Sequence, residues 1–187
     1  MNSGQIIFLN GPSSAGKSTL AKAIQQQIDQ PFWHVASDQF VAAQMLPARH
    51  AEGGDFAWHV MRPRFFRAFH RCLPAIAGAE QNVIVDHVIE FEAWLYELVD
   101  LLAPYDVFFV GVYCPLEELE RRERLRGDRM PGEARDHLQV VHSFAAYDAT
   151  VDTSVATPAV HAADVIRAWH GRRAAGVFQQ LYTSRHR

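Results

Sequence analysis

The feature that most constrains this chain is a nine-residue stretch near its start, Gly11-Pro12-Ser13-Ser14-Ala15-Gly16-Lys17-Ser18-Thr19. Two glycines at this spacing, followed by lysine and serine, fit the phosphate-loop pattern. Such a loop turns its backbone N–H groups inward around an anion, and the next helix points its positive N-terminus at the same anion. The pattern predicts that residues 11–19 bind a nucleotide, with Lys17 at the β- and γ-phosphates and the Ser18 hydroxyl on Mg²⁺.

The residues on either side of this stretch support the same interpretation. Residues 5–10 are an apolar, β-rich run that is typical of a short buried strand. Leu20, Ala21, Ile24 and Ile28 then recur at helical spacing. The alternative is a chance glycine-rich turn, but a strand, a loop and a helix in this order are the context that the phosphate loop requires.

Strands and helices alternate along the rest of the chain. Apolar runs predict five strands, at residues 5–10, 32–35, 82–86, 106–113 and 149–152. Such alternation is typical of a mostly parallel sheet with helices on both faces, a three-layer α/β/α fold. Right-handed crossovers place the loops that follow the strands at one edge of the sheet, where ligands bind. We therefore expect Gly11, Asp38, Asp86 and Cys114 to converge at that edge.

Asp38 follows the second predicted strand and is the candidate catalytic base. During phosphoryl transfer the attacking hydroxyl must be oriented and must lose its proton, and a carboxylate at the ligand edge could accept that proton. The alternative is a helix N-cap, because Ser37-Asp38 precedes a short helical stretch. Its placement at the ligand edge favours the catalytic interpretation.

Asp86 ends the third predicted strand at the same edge. It could hold Mg²⁺ through water, as the carboxylate of a Walker-B strand does, or help to polarise the acceptor hydroxyl. A structural role, as a cap or as a buried acid bonded to neighbouring N–H groups, is an equal alternative. Together with Ser18, it is the predicted metal site.

Arginines are concentrated between residues 121 and 129, among glutamates that could pair with them along a solvated helix. The segment Arg126-Gly127-Asp128-Arg129, followed by Pro131-Gly132, has the composition of a hinge. An arginine-bearing lid that closes over ATP would stabilise charge on the transferring phosphoryl group. We assign Arg126 and Arg129 to such a lid, at about residues 122–135, with Arg122 as a further nucleotide-binding candidate.

Length and composition predict one domain and exclude several classes of protein. The chain has 187 residues, 49% of them hydrophobic, and a net charge of −3, which favours a globular protein without a nucleic-acid surface. Its two cysteines lack metal-ligand spacing, and no apolar run could span a membrane. We expect a cytoplasmic protein with a C-terminal appendage at about residues 171–187, and a helix over residues 133–147.

Several stretches together resemble the chloramphenicol phosphotransferase family. The resemblance begins with residues 6–18, which contain Ser-Ser-Ala-Gly-Lys-Ser, and includes Asp38 after the second strand. It continues through Val83-Ile84-Val85-Asp86, Val110-Gly111-Val112-Tyr113-Cys114, Arg122-Glu123, Arg126-Gly127-Asp128-Arg129, Val140-Val141-His142, Tyr147-Asp148 and Val151-Asp152-Thr153. It thus covers nearly the whole chain in order. The chain departs from the family pattern at Pro12, at His87 and over residues 40–69.

The resemblance implies a P-loop kinase fold of the nucleotide-kinase type, with ATP as the donor and a small-molecule hydroxyl as the acceptor. We expect Mg²⁺ to be bound together with ATP. It also implies that Asp38 is the base. The residues leave two alternatives open: a kinase for another metabolite, such as shikimate, gluconate or a nucleotide, and a regulatory module that binds a nucleotide without transferring phosphate. Arg49, Arg62, Arg64 and Arg67 lie in the region of the acceptor and would suit a nucleotide acceptor.

Overall fold

A computed structural model describes residues 3–47, 53–126, 132–172 and 175–186. Its centre is a sheet of five parallel strands in the order β2-β3-β1-β4-β5. The strands are β1 (Ile6–Asn10), β2 (Phe32–Ala36), β3 (Asn82–His87), β4 (Val107–Tyr113) and β5 (Ala149–Asp152). The predicted α/β/α fold class is therefore confirmed, and each strand lies within two residues of its expected bounds.

Helices cover both faces of this sheet, and the strands divide their side chains between them. The helices are α1 (Lys17–Gln27), α2 (Ser37–Ala42), α3 (Trp58–Gly78), α4 (Glu92–Leu102), α5 (Leu116–Arg126), α6 (Glu133–Val140), α7 (Pro158–Gly171) and α8 (Val177–Arg185), with a 3₁₀ turn at Gly54–Phe56. Ile7 and Leu9 pack under α1 and α7, whereas Ile6 and Phe8 pack under α3, α4 and α8. This period-two division explains why β1, β3 and β4 carry continuous apolar runs, since both of their faces are buried.

The order of the strands brings the predicted site residues to one edge. β1 lies between β3 and β4, and the register pairs Leu9 with Asp86 and Asp86 with Ala36. The residues that follow β1, β2 and β3 therefore meet at the carboxyl ends of the central strands, which is where open α/β sheets bind ligands.

One predicted helix is shorter than expected. The pattern predicted a helix over residues 133–147, but α6 ends at Val140. Asp148 explains the difference, because its carboxylate accepts hydrogen bonds from the backbone N–H of Phe109 (2.7 Å) and of Val177 (2.8 Å). A continuous helix could not bring that carboxylate to β4, so the chain unwinds before it.

The C-terminal segment packs on the sheet. Phe178 of α8 is buried against the rings of Phe8 and Phe109, at centroid distances of 5.7 and 5.0 Å. None of the helices in the described ranges is both long and apolar enough to cross a membrane.

Candidate active site

The phosphate loop joins β1 to α1 and has the backbone geometry of an anion nest. Ser14 (φ 63°) and Gly16 (φ 87°) both adopt left-handed conformations, which cost a non-glycine residue such as Ser14 about 1–3 kcal/mol. Gly11 passes so close to β4 that a Cβ there would lie 2.3 Å from the carbonyl oxygen of Val112. The loop thus needs its first glycine for close packing and its second for its turn.

Lys17 is held inside the loop that it closes. Its side chain is almost completely buried, and Nζ donates to the carbonyl oxygens of Gly11 (3.0 Å) and Pro12 (2.8 Å). Nζ also lies 4.0 Å from Oδ1 of Asp86. The ammonium group is therefore fixed at the mouth of the nest, which is where the motif requires a cation for phosphate.

Asp86 collects hydrogen bonds from two sides. The Ser18 hydroxyl donates to its Oδ2 (2.6 Å), and Nε2 of His34 lies 3.4 Å from the same oxygen. Burial alone would raise the pKa of this carboxyl, but His34, Lys17 and Ser18 together lower it below its ordinary value. Asp86 is therefore an anion at neutral pH, as a metal-supporting carboxylate must be.

The predicted metal residues, Ser18 and Asp86, are in direct contact. Among the residues that the structure describes, no three His, Cys, Asp or Glu side chains cluster as a metal cage would require. One hydroxyl and one carboxylate suit Mg²⁺, which keeps several waters and completes its shell with substrate phosphates. The donor set therefore fits the predicted ion.

Two hydroxyl groups of the loop are buried without a hydrogen-bond partner among the described residues. Ser13 and Ser14 are 5% and 7% exposed, and in the described part of the chain their Oγ atoms have no hydrogen-bond partner. Buried polar groups are nearly always paired in a working protein, so unpaired hydroxyls in an anion nest indicate a missing acceptor. A phosphate group supplies such acceptors.

Asp38 lies in the first turn of α2, directly after β2. The helix begins at Ser37, and its N-cap position is Ala36, whose N–H donates to Oε1 of Gln39 (3.0 Å). Asp38 is thus the second residue of the helix, so the alternative that it is the N-cap is not supported. Its side chain lines the same cavity as Lys17.

A single cavity of about 550 Å³ connects these groups. Its size falls within the range of about 300–1,000 Å³ that is usual for small-molecule sites. At one end are the phosphate loop, Arg122 and Thr153, and the lining also includes Asp38, Phe66 and Glu90. The predicted nucleotide-binding and acceptor-binding groups therefore line one cavity.

The predicted arginines are placed differently from one another. Arg122 lies in α5, where Nη1 and Nη2 donate to Oγ1 and the carbonyl oxygen of Thr153, each at 3.0 Å. Thr153 in turn donates to the carbonyl oxygen of Ala15 (2.7 Å), so Arg122 is tied to the phosphate loop. Arg126, at the end of α5, lines the cavity. Arg129 lies outside the described residues.

Glu123 performs a structural task that sequence reasoning missed. We expected the glutamates of α5 to pair with neighbouring arginines, but the buried carboxylate of Glu123 accepts from the N–H groups of Gly132 (2.9 Å) and Ala134 (2.8 Å). It therefore caps the start of α6 and fixes one end of the predicted lid to α5.

His34, Glu90 and His137 also line or support the site without having been predicted. His137 accepts a hydrogen bond from the N–H of Ser13 through Nδ1 (3.3 Å), and its Nε2 lies 3.6 Å from Oε1 of Glu90. These residues come from β2, the loop between β3 and α4, and α6, and they form no sequence motif. The only signal in the sequence was the position of Glu90 soon after a strand at the ligand edge.

An aromatic wall closes the cavity on the α3 side. Phe66 packs against Trp94 at 4.6 Å between ring centroids, and His87 is stacked on Trp94 at 5.8 Å. Nε2 of His87 lies 3.1 Å from Nε2 of His70. Burial, the nearby His70 and the charge of Lys17 hold the pKa of His87 well below its ordinary value, so His87 adds no charge to this wall at neutral pH.

Residues 4–170 match the family model described as chloramphenicol phosphotransferase-like protein. A Mycobacterium tuberculosis (strain H37Rv) protein named "Putative O-phosphotransferase" is 33% identical in a 177-residue alignment that covers 84% of this chain and 78% of that protein.

Solved structures with the same fold include kinases. APS kinase from Mycobacterium tuberculosis, in complex with AMPPNP and APS, has a TM-score of 0.69 and 18% identity, and the match covers 91% of this chain and all of that one. Shikimate kinase from Acinetobacter baumannii, in complex with shikimate, has a TM-score of 0.61 and 16% identity over 90% of this chain and 94% of that one. At such identities the likeness establishes the fold.

Proposed function

We propose that this chain, which belongs to the chloramphenicol phosphotransferase-like family, transfers the γ-phosphoryl group of ATP to a hydroxyl group of a small molecule. The observation that carries the proposal is that Lys17 and Asp38 line one cavity. A nucleotide-binding module has no need of a carboxylate opposite its phosphate cation, whereas a kinase needs a group that receives the proton of the acceptor.

The phosphate loop, residues 11–19, would bind the donor. Its inward N–H groups, the unpaired hydroxyls of Ser13 and Ser14 and the ammonium group of Lys17 would hold the phosphate chain. Arg122 braces the loop through Thr153 and would lie beside the nucleotide. The positive groups are fixed before the donor arrives, so they need no reorganisation as charge develops.

Ser18 and Asp86 would hold Mg²⁺, directly and through water. When bound, the ion neutralises phosphate charge. The chain's own contribution is to keep Asp86 ionised and aimed, through the contacts with Lys17 and His34.

Asp38 would act as the general base. As the acceptor oxygen forms its bond to the γ-phosphorus and the bond to the leaving ADP oxygen breaks, the hydroxyl proton passes to the Asp38 carboxylate. Arg126 would place its charge at the transferring phosphoryl group from the end of α5, as would Arg129 of the predicted lid. The two arginines would thus act through their position and charge, which is how most catalysis of phosphoryl transfer arises.

The arginines near the acceptor region give little support to a nucleotide acceptor. Arg62 is paired with Glu90, while Arg64 and Arg67 are exposed, and none of these three lines the cavity. Arg49 lies outside the described residues. The aromatic wall at Phe66 suits an acceptor that carries an apolar group beside its hydroxyl.

The proposal is tested by ATP turnover against a panel of hydroxyl compounds, chosen beforehand by thermal shift in the presence of AMPPNP and Mg²⁺. A ligand at one hundred times its Kd stabilises a protein by about 2.7 kcal/mol, which a thermal shift resolves. We expect ADP formation that depends on one class of compound, with a phosphate monoester visible by ³¹P NMR. ADP formation that no hydroxyl compound stimulates would instead indicate the regulatory module.

A further inference from the structure

One N–H group of the phosphate loop is already occupied. The backbone N–H of Ser13 donates to Nδ1 of His137, a residue of α6, at 3.3 Å. Inward N–H groups of such a loop are donors for phosphate oxygens. A donor phosphate that enters the nest must therefore replace the imidazole as the acceptor of this hydrogen bond.

The other face of the same imidazole is tied to Glu90. Nε2 of His137 lies 3.6 Å from Oε1 of Glu90, and the two side chains are 12% and 17% exposed. A neutral imidazole that accepts at Nδ1 carries its proton on Nε2, which here points at the carboxylate. The contact with Ser13 and the contact with Glu90 are therefore compatible in one tautomer.

Glu90 extends the connection to the aromatic wall. The guanidinium of Arg62 donates to the same Oε1 atom that faces His137. The Cζ atom of Arg62 lies 4.9 Å from the ring centroid of Phe66 and 5.4 Å from that of Trp94. A chain of direct contacts thus runs from the phosphate loop through His137, Glu90 and Arg62 to the wall of the acceptor space.

We propose that His137 and Glu90 are positioning residues that couple the two halves of the cavity. The donor phosphate displaces His137 from the N–H of Ser13. Because His137 and Arg62 share Oε1 of Glu90, this displacement shifts Arg62 and the aromatic wall on which it packs. The Nε2–H group of His137 and the guanidinium of Arg62 compete for one oxygen atom of Glu90, so movement of His137 changes the geometry of the Arg62 contact. The aromatic wall then reaches the arrangement that binds the acceptor only when the donor is bound. This inference rests on the proposed donor site.

Two substitutions of His137 separate its two contacts. In His137→Asn the amide oxygen takes the place of Nδ1 and keeps the Ser13 hydrogen bond, but the side chain is too short to reach Glu90. In His137→Gln the amide takes the place of Nε2 and reaches Glu90, but the acceptor for Ser13 is lost. Gln139→Ala, at an exposed position of the same helix, is the matched control.

The first measurement is AMPPNP binding by calorimetry with Mg²⁺, together with the melting temperature of each variant. Loss of a competing neutral hydrogen bond should tighten AMPPNP binding by about 2- to 10-fold in His137→Gln. His137→Asn and Gln139→Ala should bind as the wild type does. A merely structural role would change the melting temperatures without this difference between Gln and Asn.

The second measurement is intrinsic fluorescence on AMPPNP titration, with Trp94→Phe identifying the contribution of Trp94. We expect a Trp94-dependent change in the wild type and in Gln139→Ala, and none in either His137 variant. Equal AMPPNP affinity in His137→Gln and the wild type, or a Trp94 signal that survives in both His137 variants, would overturn the coupling while leaving the proposed function intact. A wild-type protein that does not bind AMPPNP would overturn the proposed function itself, and this inference with it.

Discussion

The phosphate-loop side of the cavity and the α2–α3 side are held in place by different means. Lys17 and Asp86 lie at the ends of central elements and are 7% and 6% exposed. Nζ of Lys17 donates to backbone carbonyl oxygens, and Asp86 accepts from the Ser18 hydroxyl. On the opposite side, α2 and the 3₁₀ turn contribute no buried residue at all. The start of α3 presents Trp58, which is 38% exposed, and the rings around Phe66 pack mainly on one another.

In the proposed kinase the phosphate-loop side would be the donor side and the α2–α3 side the acceptor side, and this difference would let one fold serve several acceptors. The donor side depends on backbone conformation and on the sheet register, so a change there disturbs the core. The acceptor side depends on side chains that make few core contacts, so its shape can change at little cost in stability. The fold and the donor site are therefore poor guides to the chemistry of the acceptor, which has to be deduced from the aromatic wall at Phe66.

The largest effect is expected at the acceptor side. Asp38→Asn keeps the size of the side chain but cannot take a proton, and general-base catalysis contributes about 10²- to 10⁴-fold. We expect kcat to fall by that factor, with AMPPNP affinity unchanged, as measured by steady-state turnover and calorimetry.

The control for this variant lies on the donor side. Asp86→Asn should change the Mg²⁺ dependence of turnover, because Asp86 contacts the predicted metal-binding hydroxyl of Ser18. If Asp38→Asn retains most of the wild-type kcat, Asp38 is not the base. The two sides of the cavity would then not differ in the way that we propose.

The next effect tests the donor side directly. Lys17→Met keeps most of the apolar stem but removes the ammonium that is fixed on the carbonyl oxygens of Gly11 and Pro12. Removal of one preorganised donor costs about 10²- to 10³-fold in kcat, and we expect at least that here. Circular dichroism should confirm that the variant is folded, and near wild-type turnover would exclude the phosphate-loop mechanism.

A smaller effect is expected where the two sides meet. Arg126→Ala removes a charge at the end of α5 that lines the cavity. Loss of one charge-assisted hydrogen bond of about 1.5–3 kcal/mol corresponds to about 10- to 150-fold in kcat. A rise in KM for ATP at constant kcat would instead mean that Arg126 binds the nucleotide in its ground state.

The last prediction concerns how the free energy of unfolding depends on pH through a residue near the phosphate-loop side of the cavity. Burial and the charge of Lys17 lower the pKa of His142 to about 4. Between about pH 6.5 and 4 the unfolded chain therefore binds a proton at His142 that the folded chain does not, so stability is lost as the pH falls through this window. His142→Phe keeps the stacking on Tyr113 but cannot titrate.

Urea unfolding from pH 7 to 4.5 measures this effect. The wild type should lose at most about 3 kcal/mol more than His142→Phe over that interval, since one pKa unit corresponds to about 1.4 kcal/mol. Parallel pH curves for the two proteins would contradict the assignment. A steeper curve for the variant would mean that the Phe substitution disturbs the contacts of Tyr147 and Asn10 at the end of β1.

Local patterns were reliable guides to part of this molecule. Apolar runs predicted the five strands of the described sheet, and the signal was clearest for β1, β3 and β4, which are buried on both faces. The phosphate loop was recognisable because the residues that shape it are consecutive. The same reasoning failed for the helix expected over residues 133–147. Asp148 accepts hydrogen bonds from the N–H groups of Phe109 and Val177, which are distant in the chain, and local helical periodicity does not reveal such contacts.

The sequence by itself thus determined the sheet, the loop and the sheet edge at which Asp38 and Asp86 meet, because each depends on short spacings and on strand direction. Only the tertiary structure decided that His34 supports Asp86, that Glu123 caps α6 and that His137 occupies the Ser13 N–H. Ser13 and His137 are separated by 124 positions in the chain. No local pattern encodes such a contact, because it exists only after the sheet has brought the loops at its carboxyl edge together.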